Sequence, residues 1–162
     1  MKRSLLDFRE AVPGDEAVLF PMMRALAEQE PGAIPFDESA AGAAFRQFLS
    51  LPAFGRLWLV YLGPALVGYM VLTIGFSFEF RGHDAFVDEL YLLPAYRRRG
   101  FGRRAMAFVE QQAREMGVQA MHLEVDRGND AALELYRRTG YQDHHRFLMT
   151  KWLKRDNKGP EV

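Results

Sequence analysis

The sequence predicts a mixed-sheet α/β fold, in the α+β sense, and three observations point to it. Strand-like and helix-like segments follow in the order strand, two helices, three strands, helix, strand, helix, strand. One strand–helix–strand unit lies near the middle of that order, which calls for a parallel pair within an otherwise antiparallel sheet. Short turn signals separate the segments, and no internal repeat or low-complexity linker interrupts them. With 162 residues, 49% of them apolar and 26% charged, the chain has the size of one domain that can bury a core without disulfides or metal. Residues 1–153 are expected to form that domain and residues 154–162 a polar tail.

Residues Ser4 to Glu10 read as the first strand, and Pro13-Gly14-Asp15 as a turn whose aspartate caps a helix. From Glu16 to Glu28, Val18, Leu19, Met22, Met23 and Leu26 recur at helical spacing. The helix cannot pass Pro31, Gly32 and Pro35. A second helix, Ser39 to Leu49, is expected to start from a serine cap. Two strand-like runs, Arg56 to Tyr61 and Leu66 to Phe78, are joined by Gly63-Pro64 as a hairpin. After Arg81-Gly82-His83-Asp84, a fourth strand covers Ala85 to Leu92 and stops at Pro94. A helix from Gly102 to Met116 follows, with Phe101, Ala105, Val109, Ala113 and Met116 on one stripe and Gly117 as its terminator. Met121 to Val125 reads as a strand, Asn129 to Arg138 as a helix ending at Gly140, and Arg146 to Leu153 as a last strand.

Composition narrows the function classes. There is no cysteine, so thiolate metal sites and a cysteine nucleophile are excluded, and a cytoplasmic setting is compatible with this usage. The first residues hold too short an apolar stretch for a signal peptide. Leu57 to Phe78 is apolar enough to suggest a membrane span, but Gly63-Pro64, Gly68 and Gly75 break it and its strand formers favour buried strands. Formal net charge is +0, so no global field draws nucleic acid or anionic membrane, and any anion site must be local. The four histidines lack metal-ligand spacing: His144-His145 diverge in a strand, and His83 and His122 stand apart. No metal is expected.

A local anion site is present in the pattern. Leu90-Tyr91-Leu92-Leu93-Pro94-Ala95-Tyr96-Arg97-Arg98-Arg99-Gly100-Phe101-Gly102-Arg103 places two glycines between a strand and a helix. Unobstructed N–H groups and the positive end of the helix dipole converge there, with arginines on the flank, so phosphates can be held mainly by backbone. The bland alternative is a solvated basic loop. Arg97-x-x-Gly100-x-Gly102 resembles the (Q/R)-x-x-G-x-(G/A) acetyl-CoA signature of the GNAT superfamily of N-acetyltransferases. Glu89-Leu90-Tyr91-Leu92-x-Pro94-x-Tyr96-Arg97 resembles that family's fourth strand running into its pyrophosphate loop, and Asn129-x-x-Ala132-x-x-x-Tyr136-x-x-x-Gly140-Tyr141 its second motif. Arg98 departs from the pattern, standing where many relatives have glycine, and Tyr141 where many have phenylalanine.

The resemblance implies a twisted sheet of six to seven strands flanked by about four helices and splayed between strands four and five, with a bulge near Glu89–Tyr91. It implies acetyl-CoA as donor, its pantetheine arm along Leu90, Tyr91 and Leu92, and its pyrophosphate on Arg98, Arg99, Gly100, Phe101, Gly102 and Arg103, with Arg97 beside it. Asn129 would bond the arm, in addition to capping its helix. Tyr136 would be the general acid toward sulfur; otherwise it is a core tyrosine. The base is Asp88 or Glu89, which as neighbours on a strand face opposite sides; the resemblance points to Glu89. Relatives also commonly form homodimers.

The resemblance implies an acceptor pocket built from the first two helices, their connecting loop and the third and fourth strands. That region holds Glu28, Glu30, Asp37, Glu38, Glu79 and Asp84, with Phe36, Phe76, Phe78 and Phe80, which suit a small cationic amine. A protein lysine or N-terminus is the alternative. Rival readings from other classes are a non-catalytic acetyl-CoA sensor, a nucleic-acid surface built on Arg97–Arg99, and a dinucleotide oxidoreductase using Gly100-x-Gly102 with Glu124.

Overall fold

The computed structural model describes residues 5–30 and 34–153. The expected strand start at Ser4, the helix stop within residues 31–33 and the tail 154–162 lie outside the described residues. Five strands form one sheet in sequence order: β1 (Leu6–Glu10), β2 (Gly55–Leu62), β3 (Ala65–Ser77), β4 (Gly82–Leu92) and β5 (Ala120–Leu123). The first four pair antiparallel and β4 pairs β5 in parallel. The parallel step requires a crossover, which α3 (Phe101–Glu115) provides. Helices α1 (Glu16–Gln29) and α2 (Glu38–Ser50) precede the long strands, and α4 (Asp130–Arg138) follows β5.

The sheet is covered on both faces, which explains why β2 and β3 read as nearly continuous apolar runs rather than alternating ones. On one face Leu19, Phe20 and Phe45 from α1 and α2 pack with Leu57, Leu59, Tyr69, Val71 and Tyr91. On the other, Ala105, Met106, Val109 and Ala113 of α3 pack with Trp58, Met70, Leu72, Ala85 and Val87. Gly63, at φ 59, makes the two-residue hairpin turn between β2 and β3.

Several expectations need correction. Asp37, not Ser39, caps α2, its Oδ1 accepting from Ala40 N at 2.6 Å. Asp15 stands at the start of α1 but its carboxylate is drawn backwards, to Val12 N at 2.7 Å and Arg9 Nη2 at 2.8 Å. The bulge sits at Asp88, one position before the expected stretch: Leu72 pairs with Val87 and Val71 with Glu89, leaving Asp88 without a β3 partner.

The sheet has five strands rather than six to seven, because Arg146–Leu153 forms none. His145 adopts φ 53 and its N–H donates to Asp143 Oδ1 at 2.7 Å, a turn that redirects the chain. Arg146 then forms a two-pronged ion pair with Glu79, at 2.9 and 3.0 Å. Strand formers such as Phe147, Thr150 and Trp152 express a preference for extended backbone, and a strand exists only where an edge accepts its ladder bonds.

Candidate active site

The site arises where β4 outruns its neighbour. Asp84 to Val87 are laddered on both sides, to β3 and to Ala120–Leu123 of β5. Beyond Val87 the β5 ladder ends, while β4 stays paired to β3 as far as Leu92. One backbone edge of Asp88–Leu92 therefore lies open, and a cleft of ≈ 1960 Å³ occupies the gap between β4, the N-terminus of α3 and α4. Such an edge accepts an extended amide-bearing chain as a further strand.

The bulge decides which side chains reach this cleft. Ala85 and Val87 face α3, and strict alternation would send Glu89 and Tyr91 the same way. The extra residue, Asp88, resets the period, and Tyr91 faces α1 and α2 instead. Glu89 goes with it, and its Oε2 accepts a 2.7 Å hydrogen bond from the hydroxyl of fully buried Tyr69. Burial pushes the Glu89 carboxyl up to about 7; the Tyr69 bond opposes that rise, and the charges of Asp88 and Glu30 add to it. Asp88 lines the cleft with its side chain exposed at the bulge, and partial desolvation raises its carboxyl as well. Glu30, at the end of α1, is raised by burial and by Asp126, Asp88 and Glu124. Glu30, Asp88, Glu124 and Asp126 thus share this cleft.

The other end of the cleft is a turn with unpaired backbone donors. A short 3-10 turn, Pro94–Tyr96, uses the N–H groups of Tyr96 and Arg97. From Arg98 to Arg103 no backbone N–H has an acceptor among the described residues. Arg98 (φ 58) and Gly100 (φ 77) are both left-handed, which folds successive N–H groups toward one side before the fifteen-residue helix α3 begins. Gly102 serves close approach: a Cβ there would lie 3.3 Å from Leu135 Cδ2 of α4. Unpaired donors, a helix N-terminus and Arg103 at the rim fit a diphosphate.

Residues 20–141 match the family described as Acetyltransferase (GNAT) family. The chain belongs to the GNAT family. A bovine (Bos taurus) thialysine N-epsilon-acetyltransferase is 28% identical over 142 residues, covering 83% of each chain. An integron cassette protein from the mobile metagenome of Cole Harbour Salt Marsh superposes with TM-score 0.78 at 33% identity, covering 91% of this chain and 90% of that one. AAC(6')-Iy in complex with the bisubstrate analog CoA-S-monomethyl-acetylneamine has the same fold, with TM-score 0.75 at 15% identity over 92% of this chain and 99% of that one. The protein is accordingly an acyltransferase of the GNAT family, whose donor is acetyl-CoA.

Within this GNAT fold most of the sequence-predicted residues line one cleft: Asp88, Glu89, Leu90, Tyr91, Leu92, Arg97, Arg98, Gly100, Gly102, Arg103, Asn129 and Tyr136. Tyr91 and Phe101 bury their side chains, so each offers backbone only. Arg99 does not line the cleft; its guanidinium lies over the rings of Tyr96 and Phe101. Arg97 turns back, donating to Leu92 O at 2.8 Å and Gln29 Oε1 at 2.9 Å above the Tyr91 ring. It thereby ties the end of α1 to β4. Asn129 Oδ1 accepts from Ala132 N at 3.1 Å, which caps α4 and leaves the amide Nδ2 as a donor. Burial raises the Tyr136 hydroxyl, whose ring meets Tyr141 edge-on at 5.8 Å.

The expected acceptor residues largely disperse. Of them only Glu30 and Phe80 line the cleft. Asp37 caps α2, while Glu38, Glu79 and Asp84 face Arg24, Arg146 and His122. Phe36 packs against the α1–α2 core, and Phe76 and Phe78 stand exposed at the β3–β4 turn. Asp126 and Tyr69 were not singled out by sequence, and Glu124 only as a ribose contact in the dinucleotide reading. Tyr69 lies inside an apolar run and looks like core until the register of β3 and β4 is known.

Proposed function

We propose that this protein transfers the acetyl group of acetyl-CoA to a primary amine by direct attack within a ternary complex, and that the acceptor is small and cationic. The observation that carries this reading is Glu89, a carboxylate poised near neutrality at the point where β4 loses β5. An alkylammonium acceptor has a pKa near 10.4 and must lose a proton before its nitrogen can attack. The ionised Glu89 accepts that proton. The donor brings an acetyl group activated as a thioester. The N–H groups of Arg98 to Arg103 hold its diphosphate, and the open edge of Leu90–Leu92 aligns its amide arm. As the carbon–nitrogen bond forms and the carbon–sulfur bond breaks, Tyr136 delivers its hydroxyl proton to sulfur; its raised pKa keeps that proton available.

Glu30, Asp88, Glu124 and Asp126 supply negative charge for a cationic acceptor, and the bovine relative is named for an N-epsilon amine of thialysine. The nucleic-acid reading loses ground, because Arg97 and Arg99 are engaged by the protein's own carbonyls and rings.

Calorimetry with acetyl-CoA tests the cofactor half. Micromolar binding that is lost in Gly102→Asp supports it, and a well-folded wild type that binds nothing overturns it. Thiol release with acetyl-CoA and thialysine tests turnover without background, since the chain has no cysteine. Tyr136→Phe should lower kcat by at least tenfold with little change in Kd for acetyl-CoA; wild-type turnover in that variant would remove Tyr136 as the acid, and binding without turnover on any amine would leave a sensor.

A further inference from the structure

We infer that Tyr69 is the positioning residue of the general base: from a fully buried position on β3 it holds Oε2 of Glu89 and leaves Oε1 to face the acceptor amine. The assignment rests on the reading of Glu89 as base. Three features of the fold support it independently of any titration.

First, Tyr69 and Glu89 are diagonal neighbours. Tyr69 pairs with Tyr91, and Val71 with Glu89; the diagonal on one face of an antiparallel pair lies within reach of long side chains. Second, the contact depends on the Asp88 bulge, which brings Glu89 to the face that Tyr69 occupies. Third, Tyr69 has no freedom to point elsewhere. It is 0% exposed, with its ring 6.0 Å from Tyr91 and its neighbours Leu57, Leu59 and Val71 in the same cluster.

A phenol held so firmly differs from a solvent donor, because it fixes the carboxylate rotamer before the acceptor arrives. It also donates to the charged form of Glu89, which keeps the group ionisable near pH 7 although burial, Asp88 and Glu30 all favour the neutral acid. Tyr69 itself stays protonated, since burial and the Glu89 charge both push its hydroxyl far upward. It is a donor throughout the cycle and never the base.

The experiment is a carboxyl carbon NMR titration of protein labelled with glutamate 13C, with the Glu89 resonance identified by its loss in Glu89→Gln. Wild type should titrate with a midpoint near 7. In Tyr69→Phe the midpoint should rise by about one pH unit, a tenfold change in proton affinity, and the acid limb of kcat with acetyl-CoA and thialysine should move with it. A rise below half a unit in folded Tyr69→Phe overturns the assignment, because a purely structural tyrosine would alter thermal stability without moving the midpoint. Should Tyr69→Phe not fold, the ring carbon bearing the Tyr69 hydroxyl is followed in wild type. It must titrate with the Glu89 midpoint, and a flat response overturns the proposal. The underlying reading fails separately: wild-type turnover in Glu89→Gln removes the base. An inactive Glu89→Gln beside a Tyr69→Phe that behaves as wild type removes only Tyr69.

Discussion

The two halves of β4 share a strand and almost nothing else. In the first, Asp84 to Val87 have neighbours on both edges, and Ala85 and Val87 sit in the α3 core. In the second, Asp88 to Leu92 keep one neighbour, carry two carboxylates and border open space. One unpaired residue separates the two regimes. The first half shows what a strand needs for stability, with backbone groups paired and apolar side chains covered. The second gives up one edge and gains a line of unpaired backbone groups together with a partly desolvated acid. A strand can thus serve as scaffold and binding surface in sequence, provided that its partner stops early.

This contrast can be broken most severely at Glu89. Glu89→Gln should lower kcat by about 10²–10³-fold, in the range for loss of a general base, and remove the acid limb expected near pH 7 in a kcat–pH profile. The same variant tests the energetic cost of the second half. The folded carboxyl holds its proton to about 7 against an ordinary 4.5, so the folded state binds more protons than the unfolded one between these values. Stability therefore falls as pH rises through that window. At about 1.4 kcal/mol per unit, the wild type gives up on the order of 3 kcal/mol by pH 8. Denaturant melts should find Glu89→Gln more stable than wild type at pH 8 and similar at pH 4.

Deletion of Asp88 attacks the boundary itself. Removing the extra residue keeps Val87 toward α3 and Glu89 toward α1, so the core should survive with a melting temperature within a few degrees of wild type. The bend that parts β4 from β5 should relax, and calorimetry should show acetyl-CoA affinity down by about a hundredfold. Unchanged affinity would mean that β5's early end, rather than the bulge, opens the cleft.

The smallest effect is expected where the second half runs into the turn before α3. Arg98 is left-handed at φ 58, a conformation that costs a non-glycine residue about 1 kcal/mol. Arg98→Gly should raise the melting temperature by one or two degrees and keep acetyl-CoA affinity within about threefold, read by thermal shift and calorimetry. A larger loss of affinity would show that the side chain, not the backbone, does the holding.

Much of this was legible in the residues. Gly100 and Gly102, between a strand and an amphipathic helix, and Asn129 with Tyr136 were singled out in the sequence, and all four line one cleft. The departure at Arg98 was visible too, and it falls on a left-handed residue, at φ 58. The misses share a cause. Asp37 and Ser39 are both good caps two residues apart, and only backbone geometry decides between them. The acidic residues expected around the acceptor were gathered from the first two helices, their loop and the third and fourth strands, whereas Glu30, Asp88, Glu124 and Asp126 meet in the cleft. Arg146 to Leu153 is rich in strand formers but finds no edge.

The sequence by itself determined most of the local elements and the family, because helical spacing and glycine punctuation are properties of short stretches. The resemblance placed the opening between strands four and five. Tertiary structure alone decided which of two adjacent acids faces Tyr69 and at which residue β4 loses β5. A period of two carries no record of a single extra residue, and a bulge exists only relative to the strand beside it.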